Sequence, residues 1–214
     1  MAELNLTPEK AFIFRITHIA NVSWLLDNGL HCPNSDVHDP NFRRIGNLDL
    51  IAKRVHRVVP IPPGGTLPDY VPFYFTSCSP MLYNIKTGYQ GVEQLPMRDI
   101  VILASSLHRV IEQGVGFVFT DRHAYLQAAE FSSNLADLAG LDWKRLRARD
   151  FRRAPDDPSK IERYQAEALI HRHLPVGGLV GLACHGSAQR EGLEAEIAQR
   201  GLELKVVTKP EWYP

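Results

Sequence analysis

At 214 residues with 44% hydrophobic content, the chain can close one substantial core, and nothing in it forces a second, so a single domain over 1–214 is expected. Basic and acidic side chains balance at 24 each, which excludes a global field that would draw the protein to nucleic acid, membrane or an acidic partner; any nucleic-acid binding must come from a local patch. The three cysteines, Cys32, Cys78 and Cys184, are far apart and form no Cys-x-x-Cys pair, which argues against a zinc site or a disulfide framework and fits a reducing cytosol.

Met1 to Lys10 carries Glu3 and Glu9 and no long apolar core, so neither a secretion signal nor a membrane span is expected there, and the protein is read as soluble and cytoplasmic. Ala11 to Ile16 reads as the first strand. Thr17 is expected to cap a helix in which Ile19, Val22 and Leu26 recur at helical spacing until Gly29 ends it. His31 to Arg43 has little periodicity and predicts an exposed loop, and Leu48 to Val59 predicts a short helix running into extended chain. Ile61-Pro62-Pro63-Gly64-Gly65 is a rigid turn. Val71 to Phe75 and Asp99 to Ala104 read as buried strands, Ser105 or Ser106 as the cap of a helix through Ile111, and Gly116 to Thr120 as a returning strand. Glu167 to His171 and Gly178 to Ala183 add two strands. A helix over Ala188 to Arg200, stopped by Gly201, leads to a last strand, Leu204 to Val207. Strands and helices mix without strict alternation and without Gly-x-Gly-x-x-Gly, which favours α+β over a doubly wound dinucleotide fold.

Several residues carry possible chemistry, each beside a plainer reading. Glu167 opens a strand-like segment, where it either points into water or, if buried, needs a partner. Arg15 interrupts an apolar run and requires an acidic partner or an anionic ligand, unless it reaches solvent from an edge strand. Thr17 and His18 follow it and either serve a ligand or are plainly structural, Thr17 as the cap and His18 as a lone histidine of the fold. Arg54 lies with Lys53, His56 and Arg57 in a basic cluster of the kind that usually forms a solvated helix face. Tyr74, Met81 and Tyr83 offer flat, polarizable surfaces to a base or nicotinamide, or are simply core. From Lys144 to Arg153 lie Lys144 and the arginines 145, 147, 149, 152 and 153, preceded by Trp143 and interrupted by Phe151, a composition that suits single-stranded nucleic acid or a solvated basic helix. Asp121-Arg122-His123 falls at a strand's C-terminal end, a common place for functional loops and for ordinary turns.

Taken together, these strings resemble the DarT family, bacterial toxins that transfer ADP-ribose from NAD to bases of single-stranded DNA. The resemblance is carried by Ile16-Thr17-His18-Ile19 with Asn21, by Pro62 to Gly65, by Asp69 to Phe75, by Ser79 to Tyr83, by Phe117 to His123 and by Gln165-Ala166-Glu167, and it spans nearly the whole chain. It implies an α+β ADP-ribosyltransferase fold, with two facing sheets, flanking helices and NAD in the cleft between the sheets. It implies Glu167 as the catalytic glutamate and Arg54 as the catalytic arginine, with Lys53 as the neighbouring alternative. NAD is implied as co-substrate without a metal, held by Arg15, Thr17, His18, Asn21, Tyr74, Met81 and Tyr83. The DNA is assigned to Arg122, His123, Arg149, Arg152 and Arg153. A macrodomain antitoxin is the implied partner of a protein expected to be monomeric and free of membranes. One departure stands out: the family strand usually presents a histidine two residues before the threonine, and here that position is Arg15. Arginine occupies the first strand in another branch of ADP-ribosyltransferases, where it holds the dinucleotide. Members of the family modify thymine or guanine, and the chain does not assign the base. Two other readings stay open, an enzyme of the same fold that modifies RNA or hydrolyses NAD, and a single-stranded nucleic-acid binding module without catalysis.

Overall fold

The computed structural model describes residues 5–214. Met1–Leu4, the beginning of the segment expected to carry no signal, lie outside the described residues. The strands in chain order are β1 (Phe12–His18), β2 (Leu30–His31), β3 (Tyr70–Tyr74), β4 (Ile100–Ser106), β5 (Phe117–Thr120), β6 (Phe131–Ser132), β7 (Glu167–His171), β8 (His173–Leu174), β9 (Gly181–Cys184) and β10 (Lys205–Thr208). The helices are α1 (Val22–Asn28), α2 (Leu48–Arg54), α3 (Pro80–Thr87), α4 (Leu107–Glu112), α5 (Trp143–Ala148), α6 (Lys160–Tyr164) and α7 (Ser187–Gln199).

Eight strands form one sheet in the order β10-β9-β4-β1-β3-β7-β5-β6, and β2 pairs with β8 apart from it. β4 is buried at all seven positions, because both faces of the sheet are covered there, and this is why its sequence is a continuous apolar run. Where the resemblance implies two facing sheets, the structure has this one eight-stranded sheet, divided into two halves by a thinly paired seam between β1 and β3. β1 pairs with β4 over seven residues and β3 with β7 over five, but β1 and β3 share the single pair Phe14↔Tyr74. At that seam Arg15 Nη1 donates to Pro72 O at 2.8 Å. Carbonyl and N–H of a strand residue project to the same side, so the N–H that Pro72 lacks is missing where the sheet opens and no ladder bond is lost.

Thr17 does not cap a helix. β1 continues through it, with Thr17 opposite Val101, and the cap is His18, whose Nδ1 accepts the Ala20 N–H at 3.1 Å. The helix after β4 is capped by Ser106, whose Oγ accepts the Arg109 N–H at 3.1 Å. The strand expected from Gly178 begins at Gly181, because 176–178 form a 3₁₀ turn. Gly201, with φ +64°, ends α7 as the sequence implies. Among the described residues no helix is long and apolar enough to cross a membrane, and no three histidine, cysteine or acidic side chains cluster as metal ligands.

Candidate active site at the opening of the sheet

The register brings the site together across three strands. Phe14 pairs with Tyr74 and Tyr74 with Glu167, so Arg15, Tyr74 and Glu167 meet where the halves of the sheet separate. Glu167 is 1% exposed. A carboxylate so deep requires full pairing, and it is paired: Arg54 Nη1 donates to Oε1 at 2.9 Å and Nη2 to Oε2 at 2.7 Å, a bidentate contact between residues 113 positions apart. The Ala124 N–H donates to Oε1 at 3.0 Å, and His123 Nδ1 lies 3.3 Å from the same oxygen. The backbone of Glu167 is fixed as well, its N–H bonding to Thr120 Oγ1 at 3.2 Å while that hydroxyl donates to Arg122 O at 2.6 Å.

Burial alone would raise the Glu167 carboxyl, but the Arg54 charge, His123 and the hydrogen bonds from Arg54 and Ala124 outweigh it and hold the group below the ordinary glutamate value. Burial likewise lowers the Arg54 guanidinium, and the facing carboxylate more than restores it. Arg15 has no such partner. Among the described residues it makes no ion pair, and burial pulls its guanidinium down to about 10, with Arg54 adding to the shift and Tyr74 and Glu167 opposing it. Burial pushes the Tyr74 phenol up, and the Glu167 charge pushes it further. A half-buried cation with donors to spare beside an open seam is suited to an anion.

Two buried histidines point the same way. His18 and His123 are each 6% exposed, and Nε2 of each has no hydrogen-bond partner. Burial lowers both rings; Arg43 adds to this at His18, while Glu167 opposes it at His123. His123 was expected on a DNA-facing loop, and the structure buries it against the carboxylate. Neighbouring Arg122 is engaged by Asp121 at 2.8 Å and by Glu162 at 3.8 Å.

Other expected site residues have supporting positions. Both N–H groups of Asn21 are taken, by Thr17 Oγ1 at 3.1 Å and Arg43 O at 2.9 Å, and its Oδ1 accepts the Arg43 N–H at 2.8 Å. Asn21 and Thr17 therefore fasten the 31–47 loop and leave no side-chain N–H of Asn21 free for a ligand. That loop crosses Met81 closely: Gly46 has φ +102°, and a Cβ there would lie 3.1 Å from the sulfur. Tyr83 is exposed and packs edge-on against Phe151, their ring centroids 5.8 Å apart. Lys53 is exposed, so Arg54 is the basic residue of its pair that enters the site.

The basic run is largely engaged within the fold. Arg145 pairs with Asp142 at 2.9 Å and Asp157 at 2.5 Å, Arg147 donates to Leu6 O, Arg149 to Glu211 O, and Arg152 pairs with Asp150 at 3.1 Å. Arg153 is exposed and makes no ion pair among the described residues. Sequence reasoning missed Thr120, the Ala124 N–H and Arg57. Thr120 ends a predicted strand and Arg57 stood in the basic cluster, but a backbone N–H carries no side-chain signal.

A family model described as DarT, ssDNA thymidine ADP-ribosyltransferase, matches residues 14–214. A DNA ADP-ribosyl transferase from Escherichia coli O127:H6 (strain E2348/69 / EPEC) is 51% identical over 209 residues, covering 98% of this chain and 96% of that protein. The structure of Thermus sp. 2.9 DarT in complex with ADP-ribosylated ssDNA superposes with a TM-score of 0.88 at 34% identity, covering 98% of this chain and 99% of that one. The same Thermus protein in complex with NAD⁺ gives 0.81 at 34% identity, over 97% and 99% of the two chains. A match across nearly the entire length, on a fold whose seam gathers Arg54 and Glu167, leaves one assignment: the chain belongs to the DarT family.

Proposed function

We propose that Glu167 and Arg54 are the catalytic pair of this enzyme, that Arg15 and His18 hold the NAD co-substrate, and that the acceptor base is thymine. Membership of the family makes the chain an NAD-dependent ADP-ribosyltransferase acting on single-stranded DNA, and the thymidine in the family description supports thymine over guanine. The observation that carries the catalytic assignment is the buried bidentate contact of Arg54 with Glu167. The free donors of Arg15 and the unpartnered Nε2 of His18 fit the diphosphate and hydroxyl groups of a dinucleotide, and Tyr74 is the aromatic side chain beside Arg15 and Glu167.

In the transfer, the bond from the ribose carbon to nicotinamide breaks, nicotinamide leaves with the electron pair, and a base ring nitrogen bonds to that carbon and loses its proton. Glu167 faces positive charge that grows on the ribose, which it stabilises more in the transition state than in the ground state. A carboxylate held low by a bidentate arginine is a weak base, so while the pair is intact its role is electrostatic. Arg54 is placed to answer negative charge appearing on the base. If it shifts from Glu167 to the base, the carboxylate gains basicity and can accept the ring-nitrogen proton. The base must be presented unpaired, because that nitrogen is engaged in a duplex.

The protein is proposed to act as a monomeric toxin restrained by a macrodomain antitoxin. Labelling of single-stranded DNA, duplex DNA and RNA of one sequence by NAD tests the substrate class. Strong labelling of the single-stranded DNA alone, insensitive to chelator, is expected; equal labelling of RNA, or hydrolysis of NAD without transfer, would favour the other activities of the fold.

Two further results are expected. Arg15→Ala should weaken NAD binding more than it lowers kcat, because its contact exists already in the ground state; calorimetric NAD titration beside steady-state kinetics reads the difference. Replacing Arg149, Arg152 and Arg153 together by alanine should reduce the slope of log K against log salt by about 0.7, the value for one phosphate contact to a single strand, because Arg149 and Arg152 already have partners in the fold. A drop of about 2 would mean that all three leave those partners for phosphate.

A further inference from the structure

α2 buries none of its residues, and Leu48 and Ile51 on it and Val55 just beyond it stand exposed, so the segment carrying Arg54 has no apolar face to hold it down. Two arginines fasten it instead. Arg54 reaches Glu167, and Arg57, whose own N–H bonds to Arg54 O at 3.1 Å, reaches the turn 124–127. Arg57 Nε donates to Ala124 O at 3.3 Å, Nη2 to Leu126 O at 2.9 Å and Nη1 to Gln127 Oε1 at 3.2 Å, and its guanidinium stands 5.7 Å from the centroid of the Phe131 ring. This is the turn whose Ala124 N–H donates to Glu167 Oε1. Among the described residues, three side chains from outside Ala124–Gln127 bond to that turn: Arg57, Glu167 and the adjacent His123, whose Nδ1 accepts the Tyr125 N–H at 3.2 Å.

We propose that Arg57 is a positioning residue for the transfer: by gripping the carbonyls of Ala124 and Leu126 it keeps the Ala124 N–H on the Glu167 carboxylate and so sets the orientation in which that carboxylate meets the ribose. Glu167 is then held from two sides by one short basic segment, directly through Arg54 and through the turn by Arg57. The task needs a planar fork, since two carbonyls and an amide oxygen at fixed spacing are met by three separate N–H groups, which a single ammonium cannot reproduce. A looser turn would let the carboxylate rotate out of line while Arg54 still neutralised it, and misplacement of that kind is felt in turnover.

The inference rests on Glu167 being the catalytic carboxylate, so Glu167→Gln is measured beside Arg57→Ala and Arg57→Lys, with NAD and a single-stranded oligonucleotide over a range of pH. Arg57→Ala should lower kcat by about 10- to 100-fold with little change in the KM for NAD. Its acid limb should move upward by about one pH unit, because a carboxylate that loses a hydrogen bond to its charged form protonates more readily. Arg57→Lys should fold as the parent does and show the same shift, keeping the charge without the fork. Wild-type kcat and acid limb per folded molecule in Arg57→Lys would overturn the proposal, whatever the melting temperature, and that variant decides if Arg57→Ala does not fold. Activity persisting in Glu167→Gln would instead remove the reading beneath it, whereas an inactive Glu167→Gln beside unaffected Arg57 variants would remove this inference alone.

Discussion

Glu167→Gln is expected to lower kcat for transfer to single-stranded DNA by about 10²- to 10⁴-fold, the range typical of a positioned catalytic group, with NAD affinity nearly unchanged. The amide keeps the size of the side chain and an oxygen for the Arg54 and Ala124 donors but carries no charge, so what is lost is the anion facing the ribose. Binding energy and catalysis therefore separate in this variant. A raised KM with normal kcat, read by steady-state kinetics on an oligonucleotide, would show that Glu167 only binds. The wild-type pH dependence has a definite sign. The folded carboxyl lies below its ordinary value of 4.5, so its ion pair contributes fully to stability above that value and is lost only as the pH falls below it, through the folded value.

Arg54→Ala should have the larger effect on stability. It strands a carboxylate that is 1% exposed, and breaking a buried pair from one side costs about 3–5 kcal/mol. Part of that cost is relieved when Glu167 takes up a proton, so the variant should lose activity most steeply as the pH falls. Removing both partners should be milder than the sum of the single changes, because no charge is then left alone in the interior. Denaturant unfolding of the two single variants and the double variant at neutral pH measures this coupling. Additive losses would mean that the pair is solvated in solution and that its geometry stabilises nothing.

Much of the architecture is legible in the residues, for physical reasons that differ by element. β4 could be read because a strand covered on both faces must be apolar throughout, and a cap at Ser105 or Ser106 because a serine before an apolar helical run satisfies free N–H groups; the structure decides for Ser106. Thr17 misled for a related reason: a threonine at a strand's end resembles a cap, but the pairing of β1 with β4 carries the strand two residues past Ile16 and gives the cap to His18. The partners of the basic run were only partly legible because they are distributed. Asp142 and Asp150 lie within or beside the run and were visible, whereas Leu6 and the Glu211 carbonyl are joined to it only by the fold. Arg54 and Glu167 could be paired beforehand only through family resemblance, since no local pattern links residues 113 apart. The approach of His123 and the Ala124 N–H to the same oxygen depends on β5 lying beside β7, which neither segment encodes alone.

The most direct test of the account is mass spectrometry of nucleosides released from single-stranded DNA after incubation with NAD and either wild-type protein or Glu167→Gln. One ADP-ribose on thymidine with the wild type, free nicotinamide in equal amount, and no adduct with the variant at the same NAD occupancy are expected. An adduct on another base would contradict the assigned acceptor, and an undiminished thymidine adduct from Glu167→Gln would contradict the central claim that this buried carboxylate carries the transfer.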